Sequence, residues 1–336
     1  MNESEFDSIK EKEVIPIMNP SKKRLLFNIL ATVCLLATGL WGCAAQDVRM
    51  GSLKLGGKDY KRLLKEQIDR DQAETTAPDK LPKMTSQEYE KLGDAHFRQG
   101  NLETAYLQYE KALPKHPEKT RIQYKKGLVL LAKGRNEEAI KEFEKVLKKN
   151  PDHALALDGI GQAFFRMGAY KPAKKHFQHA LSVDPKLWRV HSFLGVIHDY
   201  QKQPETAIHE YQAAIGLKPG EGLLYNNLGV SYSLMGDYER AVAAFSEALK
   251  TRTTHEKIYN NLGLALSKLG RYEEALEAFR RGVGEAQAYN NLGCTYLQEG
   301  DLDKAIRSFE KAMELSPTFY AKASENLRKA KNGFFS

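Results

Sequence analysis

Seven glycines recur at a near-constant interval: Gly93, Gly127, Gly161, Gly195, Gly229, Gly263 and Gly293 are separated by 34 residues five times and then once by 30. A period of that length belongs to a supersecondary unit, so the chain is a stack of like modules, not one globule. Twelve residues beyond each glycine stands an alanine: Ala105, Ala139, Ala173, Ala207, Ala241, Ala275 and Ala305. Four further on is an aromatic: Tyr109, Phe143, Phe177, Tyr211, Phe245, Phe279 and Phe309. Pro117, Pro151, Pro185, Pro219 and Pro317 close five of the units. These marks fit two antiparallel helices per unit: the small residues allow close approach, the ring fills the space between, and proline stops the second helix. Each unit keeps one apolar face that its successor alone can cover.

The period and these positions resemble the tetratricopeptide repeat over residues 86–319, with units starting at 86, 120, 154, 188, 222, 256 and 286. The resemblance implies an all-α, right-handed superhelical solenoid of seven repeats, followed by a capping helix and tail over 320–336. Lys322, Glu325, Arg328 and Lys329 suit the polar outer face that a solenoid end requires. The sixth unit, residues 256–285, is four residues short and ends in Arg281-Gly282-Val283-Gly284, with Thr253 in place of proline just upstream. Either its loop is shortened or the superhelix changes pitch there.

Residues 1–42 read as an export signal. Lys22-Lys23-Arg24 precedes an uncharged apolar run over 25–40, and Gly42-Cys43 follows. The first 17 residues carry five acids and two lysines, a poor balance for a signal's start, so translation is expected to begin at Met18 as an alternative to Met1. Leu40-Trp41-Gly42-Cys43 resembles the lipobox of bacterial lipoproteins. That resemblance implies a lipid on Cys43, and Ala44 after it resembles the outer-membrane class, with the repeats facing the periplasm. Trp41 departs from the small residue usual in the lipobox. The competing reading is an uncleaved anchor, because residues 25–46 carry no charge for 22 residues. Residues 43–85 form a linker whose Lys58, Lys61, Arg62 and Lys65 either rest on anionic head groups or are simply solvated.

The chain carries a net charge of +8, but Glu and Lys alternate through most helices, which marks solvated faces and gives no nucleic-acid stripe. Cys294 stands alone in the repeat region, so no disulfide framework forms there. His176 with His179, and His191 with His198, lack a third ligand at metal spacing. No phosphate loop or nucleophile grouping stands out, and the repeats use the whole of residues 86–331. No catalysis, metal or cofactor is expected.

Function is therefore expected in binding. In the repeat family the first helix of each unit lines a concave groove through positions 2, 5, 6, 9, 12 and 13. Here Asn226, Asn260 and Asn290 take position 5, and Asn227, Asn261 and Asn291 position 6. A row of carboxamides, each donor and acceptor, can pair with the backbone of an extended peptide, and resembles the ladder of O-linked N-acetylglucosamine transferases. The alternative is that these amides bond between neighbouring helices. In the earlier half, Phe97, Leu128, Leu131 and Phe165 would make an apolar floor edged by Arg98, Arg121, Arg166 and Arg189, suited to a segment with apolar anchors and an acidic flank. The carboxylate-clamp pattern of chaperone co-factors is absent.

A lipobox followed by tandem repeats resembles the assembly lipoproteins of tight-adherence (Flp-type) pili and the pilotins of type IV pili. That implies a scaffold for a pilus or secretion machine with a protein or peptide partner. An adaptor docking peptidoglycan enzymes and an accessory protein for exported polysaccharide are the other readings.

Overall fold

The computed structural model describes residues 65–69, 84–116, 118–251, 256–316 and 321–331. The export signal, Cys43, most of the linker, Pro117, Thr253 and Pro317 lie outside them. Among the described residues there are helices and turns and no strand.

Seven helical hairpins follow one another. They are α1 (Ser86–Arg98) with α2 (Leu102–Ala112), α3 (Lys119–Ala132) with α4 (Asn136–Leu147), α5 (Ala154–Arg166) with α6 (Tyr170–Val183), and α7 (Trp188–Tyr200) with α8 (Pro204–Leu217). Then come α9 (Gly222–Leu234) with α10 (Tyr238–Lys250), α11 (Glu256–Lys268) with α12 (Tyr272–Val283), and α13 (Glu285–Glu299) with α14 (Leu302–Leu315). A final helix, α15 (Ala321–Lys331), packs on α14. Each first helix packs on its own second helix, and each second helix on the next first helix. The result is an all-α solenoid of seven repeats and a capping helix.

The glycine and the aromatic of each unit meet face to face. A Cβ on Gly93 would stand 2.5 Å from the Tyr109 ring, and one on Gly127, Gly161, Gly195, Gly229, Gly263 or Gly293 would stand 2.5–2.6 Å from its own unit's ring. All seven rings are at most 1% exposed, as are the seven alanines. The periodic marks in the sequence are thus one packing device repeated seven times: a ring packed against bare backbone.

The turn from first to second helix needs a left-handed residue. Glycine supplies it at Gly100, Gly134, Gly168, Gly236, Gly270 and Gly300, with φ of 73–82°; in the fourth repeat Lys202 does so at φ 58°. The first repeat opens on a capping box, in which the Glu88 amide donates to Thr85 Oγ1 at 3.3 Å and the Thr85 amide donates to the Glu88 carboxylate at 2.7 Å.

The four residues missing from the sixth unit are lost from its closing loop. Gly284, at φ 81°, is all that separates α12 from α13. Gly282 sits so tightly that a Cβ would lie 3.0 Å from the Glu256 carbonyl oxygen and from Tyr259 Cβ. At the other end, residues 65–69 are helical, and Gln67 is buried and accepts from Gln108 Nε2 at 3.4 Å. This short helix of the linker lies against the first hairpin.

Candidate functional site

The asparagines are tied to one another along the solenoid. Asn261 Nδ2 donates to Asn226 Oδ1 at 3.0 Å, and Asn291 Nδ2 donates to Asn260 Oδ1 at 3.0 Å. The position-6 amides of the sixth and seventh repeats thus reach back to the position-5 oxygen of the repeat before them. Asn326 in α15 takes the same part, donating to Asn290 Oδ1 at 3.1 Å and to Cys294 Sγ at 3.4 Å. The Asn326-Leu327 pair also repeats Asn227-Leu228, so α15 takes the place that a first helix takes in the repeats before it.

The row also divides by burial. Asn227 and Asn290 are buried, at 8% and 2% exposure, whereas Asn226, Asn260, Asn261 and Asn291 are half-buried. Asn261 and Asn291 each spend one N–H between helices. At position 5 the Asn226 and Asn260 oxygens each accept one bond, while among the described residues Asn226 donates only over 3.4 Å to Asn227 Oδ1 and Asn260 makes no donor bond. Asn226 and Asn260 thus have the least-used –NH2 groups among the half-buried amides of the row.

The expected apolar floor of the earlier repeats is largely core. Leu131 is 1% and Leu128 7% exposed, which corrects the expectation of an open floor there. Phe97 is half-buried against the first hairpin's cluster. Phe165 is half-buried and packs on Tyr170 and Phe193, with ring centroids at 5.6 and 5.0 Å. The arginines are also largely spoken for. Arg121 pairs with Glu90 at 2.7 Å and Glu118 at 3.0 Å; Arg166 donates to the Leu131 carbonyl; and Arg189 lies 5.1 Å over the Trp188 ring and within electrostatic reach of Asp158. Arg98 is exposed at the end of α1. An edge free to take an acidic flank is therefore not what the first repeats present.

In its place stands a charge network that spacing alone did not reveal. Glu90, 5% exposed, accepts from His116 Nε2 at 2.7 Å, from Arg121 at 2.7 Å and from Lys125. Lys125 also donates to both oxygens of Asp94 at 2.8 Å, and the Tyr109 hydroxyl donates to Asp94 at 2.7 Å. Burial alone would raise the Glu90 carboxyl, but the bonds from Lys125 and Arg121 outweigh it and hold it below its ordinary value. The Glu118 amide donates to His116 Nδ1 at 2.9 Å, so the other ring nitrogen carries the proton given to Glu90. Asp158, at position 5 of the third repeat, is different. Its Oδ2 accepts from Gln162 at 3.0 Å while its buried Oδ1 has no partner, and burial pushes it up to about 6.

The histidine pairs are structural. His191 bonds Glu210 at 2.7 Å, His198 bonds Gln203 at 2.8 Å, and His176 stacks on Phe164 at 5.7 Å. No group of ligands that could hold a metal occurs among the described residues. Cys294 is half-buried, and burial raises its thiol, with Lys322 and Lys329 offsetting this only in part.

Seven stacked helical hairpins and one further helix packed on the last of them define a helical-repeat scaffold. Residues 58–288 match the family model described as "Cilia and flagella-associated protein 70 C-terminal domain", and residues 286–319 match that of the tetratricopeptide repeat. The first of these spans more than half of the chain, which belongs to that family of tetratricopeptide-repeat proteins. Among curated proteins no sequence matches.

Solved structures share the fold. The crystal structure of the APC/C hetero-tetramer Cut9–Hcn1 aligns at 23% identity with a TM-score of 0.53, covering 81% of this chain and 53% of that one. The chain therefore spans about half the length of that relative. A tetratricopeptide repeat protein from Parabacteroides merdae aligns at 15% identity and TM-score 0.51, covering 74% of this chain and 99% of that one. Pseudomonas aeruginosa pilF aligns at 21% identity and TM-score 0.50, covering 64% and 97%.

Proposed function

We propose that this chain is a non-catalytic scaffold, held by a lipid on Cys43 in the outer membrane with its repeats in the periplasm, that grips an extended segment of a protein partner along its first-helix face. The observation that carries the binding reading is the oriented pair Asn226 and Asn260, whose oxygens are pinned by Asn261 and Asn291. Because the amides are already locked, their remaining N–H groups meet a guest's backbone carbonyls without further ordering. Backbone pairing grips a segment regardless of its side chains.

Assembly of a pilus or secretion machine is the setting we favour. Its support is the lipobox-like Leu40-Trp41-Gly42-Cys43 close before the repeats, together with the fold shared with Pseudomonas aeruginosa pilF. The cilium in the matched family's description belongs to the protein that gave it that name.

The test is capture from a bacterial envelope extract by the tagged full chain, with bound proteins identified by mass spectrometry. Asn226→Asp with Asn260→Asp keeps both oxygens for Asn261 and Asn291 and removes both donors. At ~1 kcal/mol per lost bond, capture should fall roughly 30-fold with the fold intact. Unchanged capture by this pair of substitutions would reject the ladder. For the anchor, Cys43→Ser should abolish metabolic acyl labelling; continued labelling would place the lipid elsewhere.

A further inference from the structure

The second helices of the six other repeats all carry carboxylates, whereas α6 holds three lysines, two histidines and no carboxylate at all. Lys171, Lys175 and His179 are exposed along it and Lys174 is half-buried beside them. Lys148 and Lys149, exposed just past the end of α4, extend the same basic stretch from the preceding repeat. Contact between the two repeats at this place is direct: His179 of α6 lies 3.5 Å from Asp152, in the loop that follows Lys149.

Among the described residues Asp152 meets His179 on this surface, and no carboxylate pairs with its lysines. Lys148, Lys149, Lys171, Lys174 and Lys175 form no ion pair among the described residues, while on α4, α10, α12 and α14 at least one cation does. The nearby Glu142 is taken by Lys145 at 2.8 Å. The crowding is felt locally: burial first, then the charges of Lys175 and His179, hold His176 below its ordinary value, with Glu144 only partly opposing them. Like charges left together on an outer helix oppose folding, so an external anion is the partner that completes the surface.

From this geometry we infer that the outer face of α6, with Lys148 and Lys149, is an electrostatic docking surface for anionic phospholipid head groups. The residue types choose among anions. Lysine is a flexible point charge suited to a diffuse phosphate surface, whereas the forked guanidinium of arginine and exposed rings that stack bases are both missing from α6. The site lies on the second helices, apart from the asparagine row, so membrane contact and partner capture use different surfaces. It does not depend on a lipid at Cys43.

The test uses the full chain with Cys43→Ser, sedimented with vesicles of phosphatidylcholine alone or mixed with phosphatidylglycerol. Phosphatidylglycerol should strengthen binding, and Lys171→Glu/Lys174→Glu/Lys175→Glu should remove that gain, a roughly hundredfold loss at about five-fold per lysine. A control, Lys250→Glu/Arg281→Glu/Lys311→Glu, changes the net charge equally at exposed residues and should keep most of the gain. Absence of any phosphatidylglycerol dependence would overturn the inference. So would an equal loss in the control, or patch-dependent retention on an immobilised acidic polysaccharide without retention on the vesicles.

Discussion

The Tyr211 hydroxyl donates to Asp199 at 3.1 Å, and the same carboxylate accepts from Ser231 Oγ at 2.8 Å, joining the two helices of the fourth repeat to the first helix of the fifth. Tyr109 and Asp94 are paired likewise in the first repeat, at 2.7 Å. These are the two units whose inter-helix ring is tyrosine, and in each an aspartate of the same hairpin takes the hydroxyl that phenylalanine lacks. Burying a phenol without such an acceptor would cost ~1–3 kcal/mol.

Asp199 makes the fold's stability depend on pH. Burial pushes it up to about 7, with the bonds from Ser231 and Tyr211 opposing only in part. A carboxyl raised above its unfolded value favours the folded state when protonated. Its contribution is full below the unfolded pKa of about 3.9 and is lost as pH rises through about 7. Denaturant unfolding should show a loss of about 2 kcal/mol from this group between pH 5.5 and 8. Asp199→Asn should remove that part of the slope; an identical slope in the variant would show that Asp199 does not titrate there.

Lys202 occupies a turn that glycine fills in the six other repeats, at φ 58°. A side chain in the left-handed region costs ~1 kcal/mol or more. Lys202→Gly should therefore raise stability by about 1 kcal/mol, read as a shift of the urea midpoint with an unchanged slope. Gly134→Lys, the reverse change in the second repeat, should lower it by a similar amount.

Two glycine substitutions separate packing from propensity. An alanine at Gly127 would put its Cβ 2.5 Å from Phe143, forcing α3 and α4 apart, and should cost ~1–3 kcal/mol. Gly216, in the last turn of α8, has nothing within 4 Å of its Cβ position. Gly216→Ala should stabilise by up to ~1 kcal/mol through helix propensity. Thermal unfolding of the two variants should thus move in opposite directions.

The solenoid was legible because its marks are contacts between residues a fixed distance apart along the chain. Gly127 and Phe143 touch across a single hairpin, so the spacing that recurs in sequence is the geometry that recurs in space. The site was less legible, since its bonds cross between repeats, 31 to 36 residues apart, and depend on rotamers. From spacing alone the asparagines read either as a guest-facing ladder or, the favoured of the two, as an inter-helix tie. Asn261 and Asn291 are the tie, and Asn226 and Asn260 keep the least-used donors. Leu131 misled because position 12 lines an open face only where no neighbouring side chain covers it. Glu90 and Lys125, in adjacent repeats, gave no signal beyond ordinary Glu-Lys alternation; a hint lay in the tyrosine at 109, which asks for an acceptor such as Asp94.

Asn326 supports a last prediction, about the end of the solenoid. It is the sole amide tying α15 to the asparagine row among the described residues, donating to Asn290 and to Cys294. The Cys294 thiol is shielded beneath it, and burial raises its pKa. Thiolate is the reacting species, so the folded chain should alkylate at Cys294 at least tenfold more slowly than the unfolded chain, followed by mass spectrometry on the peptide that contains it. Removing the amide with Asn326→Ala costs two hydrogen bonds, and local opening of a terminal helix draws on little free energy. The variant's Cys294 should therefore react several-fold faster, while the midpoint for unfolding of the whole body moves by less than ~1 kcal/mol. Equal alkylation rates in the two proteins would mean that α15 is held on its apolar side alone, through Ala323, Leu327 and Ala330, and that the asparagine row ends at Asn290.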